Sequence, residues 1–156
     1  MAVLLVRHAK AGHRDRWAGD DRLRPLTPRG KDQAEALADL LVPYQPALLL
    51  SSPFVRCVQT VEPLAAALGV PVEEDGALAE GQAAAAVQLA ARLAGSSVAV
   101  CSHGDVIPAM LDALARAAGI RLPPGPACAK GSVWVVEGSG TRAAMARYLP
   151  APSRSS

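Results

Sequence analysis

The sequence predicts an α/β fold, a three-layer sandwich in which helices flank a mainly parallel central sheet. Three observations carry this reading. Short apolar runs at Ala2-Val3-Leu4-Leu5, Ala47 to Leu50 and Val98 to Cys101 alternate with stretches of helical periodicity. Two of these runs end in a histidine, in Val6-Arg7-His8-Ala9 and in Ser102-His103-Gly104-Asp105. Cap and turn residues mark the places where one element type gives way to the other. With 156 residues and no internal repeat, one domain over residues 1–149 is expected, followed by a disordered tail over 150–156.

The elements follow in order. A strand is expected over Ala2 to Arg7, then a polar loop from Ala9 to Arg24. Thr27 is suited to cap a helix and Pro28 to its first position. Ala34, Leu37, Ala38, Leu40 and Leu41 give that helix an apolar face, and Pro43 ends it. A second strand over Ala47 to Leu50 runs into Ser51-Ser52-Pro53. A helix over Arg56 to Leu68 contains Pro63, which predicts a break or kink near Glu62, and Gly69 is its C-cap. Val70 to Glu73 reads as an edge strand, Leu78 to Gly81 as a loop, and the residues up to Leu93 as a helix. The strand at Val98 to Cys101 leads to a helix over Val106 to Ala118, with Pro108 in its first turn. Pro123 to Pro126 is a surface loop, and strands are expected at Ser132 to Glu137 and at Thr141 to Tyr148.

Composition narrows the function. The chain is 51% hydrophobic but only 3% aromatic, so Ala, Leu and Val carry the packing. A net charge of +2, with no stripe of Lys and Arg between aromatics, argues against a nucleic-acid polymer as partner. No apolar stretch approaches the ~20 residues of a membrane span. The three cysteines, Cys57, Cys101 and Cys128, lack metal-ligand spacing, so no metal is expected. Their odd number and the lack of a secretory signal predict reduced thiols and a cytoplasmic location.

Open α/β sheets place ligand crevices at the C-terminal ends of their strands. His8 and His103 each begin a strand-to-helix connection there. Arg7, and Arg56 just beyond Ser51-Ser52-Pro53, add two guanidiniums that can bind phosphate oxygens bidentately. A neutral imidazole is a good nucleophile for phosphorus near neutral pH. Each residue also has a plainer reading. A histidine at a strand end can be a hydrogen-bonded structural group, and Arg56 can be a surface helix residue. The mixed charges between Arg14 and Arg29 fit a solvated loop as well as a pocket rim.

Taken together, Leu5-Val6-Arg7-His8-Ala9, Arg24-Pro25-Leu26-Thr27-Pro28-Arg29-Gly30, Ser51-Ser52-Pro53 with Arg56 and Gln59-Thr60, and Ser102-His103-Gly104 resemble the histidine phosphatase superfamily in kind and order. That superfamily includes phosphoglycerate mutases and acid phosphatases. The chain is most similar to its small SixA-like phosphohistidine phosphatase branch, in which Ala at the Ala9 position is usual. It also resembles the phosphatase-like domain that follows a Nudix domain in some actinobacterial proteins, at Asp20-Asp21, Cys57, Glu62 to Ala66 and Lys130-Gly131-Ser132.

The resemblance implies a phosphoglycerate mutase-like fold and a metal-independent phosphatase without cofactor. His8 would be the nucleophile that becomes phosphohistidine. Arg7, Arg56 and His103 would clamp the phosphoryl oxygens. Glu80 is the candidate general acid, against the alternative of a solvated loop carboxylate. Lys130 could contact a polyphosphate or be a solvated turn lysine. The basic loop with Lys10, His13, Arg14 and Arg16 could recognise a larger anion. Asp105 is expected to serve the N-terminus of the helix that follows it. The implied substrates are a phosphorylated small molecule, a nucleotide or a phosphohistidine protein. The chain is short for a mutase. The alternative function is a non-catalytic phosphate- or nucleotide-binding module that partners a Nudix-type hydrolase.

Overall fold

A computed structural model describes residues 1–138 and 144–153. Its strands are β1 (Ala2–Arg7), β2 (Leu48–Ser51), β3 (Val72–Glu74), β4 (Val98–Ser102), β5 (Val133–Glu137) and β6 (Met145–Leu149). Its helices are α1 (Pro28–Leu41), α2 (Val55–Leu68), α3 (Ala83–Leu93) and α4 (Ile107–Ala118). The strands form one sheet in the order β3-β2-β4-β1-β5-β6. The first four are mutually parallel, and β5 and β6 complete the sheet antiparallel.

The apolar runs are continuous because both faces of the sheet are covered. Along β1, Val3 and Leu5 join a core with α3 and α4 that includes Leu89, Met110 and Leu111. Ala2, Leu4 and Val6 point the other way, into a core with Leu37 and Leu41 of α1 and Val61 and Leu64 of α2. Val98 and Val100 of β4 divide from Ala99 and Cys101 in the same manner. This alternation produces the three layers, as the sequence predicts.

Most predicted elements lie within a residue or two of those observed, and three details differ. First, α2 runs unbroken through Pro63. Val61 and Leu64, either side of that proline, are buried against α1, and this packing carries the helix across the missing N–H. Second, β3 begins at Val72, after Pro71, whose missing N–H suits a strand entry at the sheet edge. Third, the loop between β1 and α1 contains two 3-10 turns, Arg14–Arg16 and Asp21–Leu23. Of the strand expected over Thr141 to Tyr148, positions 141–143 lie outside the described residues, and β6 occupies Met145–Leu149. Of the tail, 150–153 has no regular structure and 154–156 lies outside the described residues.

Thr27 caps α1 as predicted, its hydroxyl accepting from Gly30 N at 3.0 Å. Gly30 lets the helix start press on the segment after β1. A Cβ there would sit 1.9 Å from the Lys10 carbonyl oxygen, a backbone atom that cannot swing aside.

Candidate active site

The register of the parallel strands brings the motifs together. Arg7 lies opposite Ser102 and Ser51 opposite Cys101, so β1, β4 and β2 end side by side. Backbone bonds continue past the strand ends. His8 N donates to Ser102 O at 3.0 Å, and Ser52 N donates to Cys101 O at 2.9 Å. His8, His103 and Ser52 therefore stand in one row on the sheet's C-terminal edge, where the strand order changes direction.

His8 is buried. Its Nδ1 lies 2.8 Å from the Ala9 carbonyl oxygen. A carbonyl only accepts, so Nδ1 carries the proton and Nε2 keeps its lone pair. Ala9 N is held by Thr60 Oγ1 at 3.0 Å, which ties the turn to α2. Burial pushes the His8 pKa down to about 3, the positive charges of Arg56, His103 and Arg7 add to this, and the bond to Ala9 opposes it. The imidazole is neutral throughout the physiological range.

His103 packs edge-on against His8, with ring centroids 5.5 Å apart, and against Phe54 at 4.7 Å. Its Nε2 meets Ser52 Oγ at 2.8 Å and Cys57 Sγ at 3.5 Å. Its Nδ1 is buried without a hydrogen-bond partner. Arg7 donates from Nη1 to Cys128 O at 2.6 Å, and its Nε is also buried and unpartnered. Gly104 makes room for this guanidinium, since a Cβ there would lie 2.7 Å from Arg7 Cζ.

Arg56 is 0% exposed, which overturns the surface-helix alternative. Asp21 holds it twice, through its backbone oxygen at 2.9 Å and its carboxylate at 3.1 Å. The Arg56 Nε has no partner. Asp21 also binds Arg24 at 2.8 Å and approaches Arg14 at 3.5 Å. Burial works against its charge, but the Arg24 hydrogen bond and the charges of Arg56, Arg24 and Arg14 outweigh this, and its pKa lies below the ordinary value. Buried polar groups are normally satisfied. Three orphaned nitrogens on Arg7, Arg56 and His103, all around one imidazole, suit an oxyanion.

A cavity of about 590 Å³ opens onto this cluster, and Arg7, His8, Arg56, Gly104 and Glu80 line it. His103 is not among the lining residues; its ring meets that of His8 edge-on beside the cavity. Glu80 binds Arg14 at 2.9 Å and lies 3.7 Å from Arg56. Lys10, His13, Arg14, Arg24, Arg29 and Lys130 also line it, so the basic loop rims the cavity except for Arg16, which is not in the lining. Asp105 departs from its expected role. Its Oδ2 accepts from Gly81 N at 2.8 Å, and α4 begins only at Ile107. With Ser102 Oγ, which donates to Leu78 O, it fastens the Glu80 loop to the end of β4.

Nothing in the sequence alone marks Ser52 or Thr60 as a contact, or Asp21 as the holder of the arginines. Each stands within one of the family-like motifs, but nothing in the spacing shows which serine faces a histidine across the sheet.

A model of the histidine phosphatase superfamily (branch 1) matches residues 3–85. The chain belongs to that superfamily. Over 96% of its length it is 40% identical to the 8-oxo-(d)GTP phosphatase of Mycolicibacterium smegmatis, covering 48% of that protein. It thus spans about half the length of that relative. Among solved structures it resembles a protein assigned as the phosphohistidine phosphatase SixA of Agrobacterium tumefaciens. That match has TM-score 0.70 and 28% identity, and covers 95% of this chain and 96% of the other. It also resembles the protein histidine phosphatase SixA complexed with tungstate, at TM-score 0.65 and 26% identity, covering 94% of each chain. These neighbours share the expected phosphoglycerate mutase-like fold.

Proposed function

We propose that this histidine phosphatase superfamily member hydrolyses a phosphoryl compound, without a metal, through a phosphohistidine on His8. The observation that carries the reading is the neutral His8 imidazole, whose Nε2 lone pair is left free by the Nδ1 bond to Ala9. It sits among unsatisfied donors of Arg7, Arg56 and His103. In the first step Nε2 attacks phosphorus and the bond to the leaving group breaks. Phosphoryl transfer asks a protein mainly for in-line positioning and charge neutralisation, which two guanidiniums and a histidine donor supply. In the second step water attacks the phosphohistidine, the P–N bond breaks, and inorganic phosphate departs.

Glu80 is the proposed proton donor to an ester oxygen, and its place in the cavity wall supports that role. A phosphomonoester needs this proton more than a phosphoramidate does. Two substrate classes are suggested by named relatives, a nucleotide by the mycobacterial 8-oxo-(d)GTP phosphatase and a phosphohistidine protein by SixA. A SixA structure complexed with tungstate, itself an oxyanion, supports an oxyanion as ligand.

The test is hydrolysis of an aryl phosphate in the presence of EDTA, comparing wild type with His8→Ala, with mass spectrometry of acid-labile phosphate after rapid quenching. Activity and a labelled His8 in wild type alone are expected. Equal turnover by His8→Ala overturns the mechanism. Oxyanion binding without turnover of aryl phosphate, phosphoramidate or nucleotide establishes the binding-module alternative.

A further inference from the structure

The phosphoryl clamp accounts for only part of the charge in this cavity. Lys10, Arg24, Arg29 and Lys130 line the same volume outside the clamp. Among the described residues, Lys10, Arg29 and Lys130 take part in no ion pair. Arg24 is only 6% exposed, and is held there by the Asp21 carboxylate and the Gly12 carbonyl. The Asp21 carboxylate is shared among Arg24, Arg56 and Arg14, so it neutralises only part of the positive charge gathered here. Burial pulls the Lys130 pKa down, and so do the charges of Arg7, Arg24, Arg56 and Lys10, which places these cations around one space. A single phosphoryl group held by Arg7, Arg56 and His103 leaves Lys10, Arg29 and Lys130 unmatched.

We propose that Lys10, Arg24, Arg29 and Lys130 form a second anion subsite for the phosphate next to the one transferred, so that the substrate class is a pyrophosphate-linked compound such as a nucleoside diphosphate. The proposal rests on His8 as nucleophile and names the bond it breaks. Nε2 attacks the terminal phosphorus, and the bond from that phosphorus to the bridging oxygen breaks. The electron pair stays on the bridging oxygen, now part of a phosphate monoester held by the subsite. Such a monoester has a second pKa of about 6, so it departs as an anion near neutral pH without a proton. This chemistry suits a Glu80 engaged with Arg14 and Arg56. Water then cleaves the P–N bond, the pair returns to Nε2, one water proton passes to solvent, and inorganic phosphate leaves.

The experiment measures kcat/KM of the intact chain for a nucleoside diphosphate, the matching monophosphate, an aryl phosphate and a phosphohistidine peptide. It also compares the binding of methylene bisphosphonate and inorganic phosphate by calorimetry. The expected result is preference for the diphosphate and bisphosphonate binding ~10-fold or more tighter than phosphate, as one further charge-assisted contact provides. Arg29→Gln and Lys130→Gln should each lower the ratio of diphosphate to aryl phosphate kcat/KM by ~10-fold, mainly through KM. Arg29 and Lys130 are exposed, so these variants are expected to fold. A phosphohistidine peptide or monophosphate hydrolysed at least as well as the diphosphate, equal affinity for the two probes, or an unmoved ratio in both variants overturns the subsite. Diphosphate hydrolysis that survives in His8→Ala instead overturns the nucleophile assignment, so the two failures are distinguishable.

Discussion

Gly104→Ala separates the rate of the reaction from the stability of the fold. The new Cβ would lie 2.7 Å from Arg7 Cζ, 2.8 Å from Nη2 and 3.0 Å from Nε. All three atoms belong to the end of a flexible side chain, so the guanidinium swings aside and the backbone stays. Gly104 does not have a positive φ, so alanine adds little strain. A compatible Gly→Ala change stabilises by about 0.4–1 kcal/mol through the unfolded chain. Displacing Arg7 loses its bond to Cys128 O, at a cost of about 1 kcal/mol. The two roughly cancel, leaving a net change within about 1 kcal/mol, or roughly 2–4 °C in Tm for a domain of this size. The rate has no such compensation. A donor moved away from the phosphoryl oxygens lowers kcat by ~10²-fold or more. Aryl phosphate turnover and thermal unfolding of the same preparation give both numbers. Wild-type turnover at unchanged Tm would refute the assignment of Arg7 to the clamp. A Tm loss of more than about 10 °C would show that Gly104 serves packing instead.

Two further outcomes test other parts of the site. His8 stays neutral in the folded chain down to about pH 3, whereas its ordinary pKa is 6.5. Between those values the unfolded chain binds more protons, so this histidine makes stability fall with falling pH, by at most about 1.4 kcal/mol per unit. His8→Asn should flatten that slope in urea titrations at successive pH values below neutrality, and an unaltered slope would exclude His8 as its source. Glu80→Gln should slow phosphomonoesters by ~10-fold or more and phosphoramidates less. Equal slowing of both would remove Glu80 from proton donation.

Much of the architecture was legible because burial on both faces of a sheet leaves a plain trace. Val3-Leu4-Leu5-Val6 is apolar throughout, and so is Val98-Ala99-Val100-Cys101, since alternate residues feed opposite helical layers. His8 and His103 were legible for a related reason, as polar groups that follow directly on buried runs. What the chain order hides is lateral. Ser52 meets His103 only because β2 pairs with β4, which lies far away in sequence. Asp21 stands in a run of mixed charge and gives no local sign that it grips Arg56, 35 residues onward. The expected break at Pro63 failed because tertiary packing outweighed a local preference. The role of Asp105 is hidden in the sequence because its partner, Gly81, lies across a loop and not in the helix that follows.

The backbone bonds that carry the sheet past its strand ends also set the dynamics of the site. The amides of His8 and Ser52 are bonded to Ser102 and Cys101, in the middle of the sheet. Freeing them requires parting β1 from β4 or β2 from β4, which is a step toward global unfolding, so their hydrogen exchange should be among the slowest in the molecule. The rim is different: Arg14 and Glu80 are exposed and joined by side chains alone. A rigid floor under a readily opened mouth lets the phosphoryl end of a ligand meet a fixed geometry while the rest of it is admitted and released quickly.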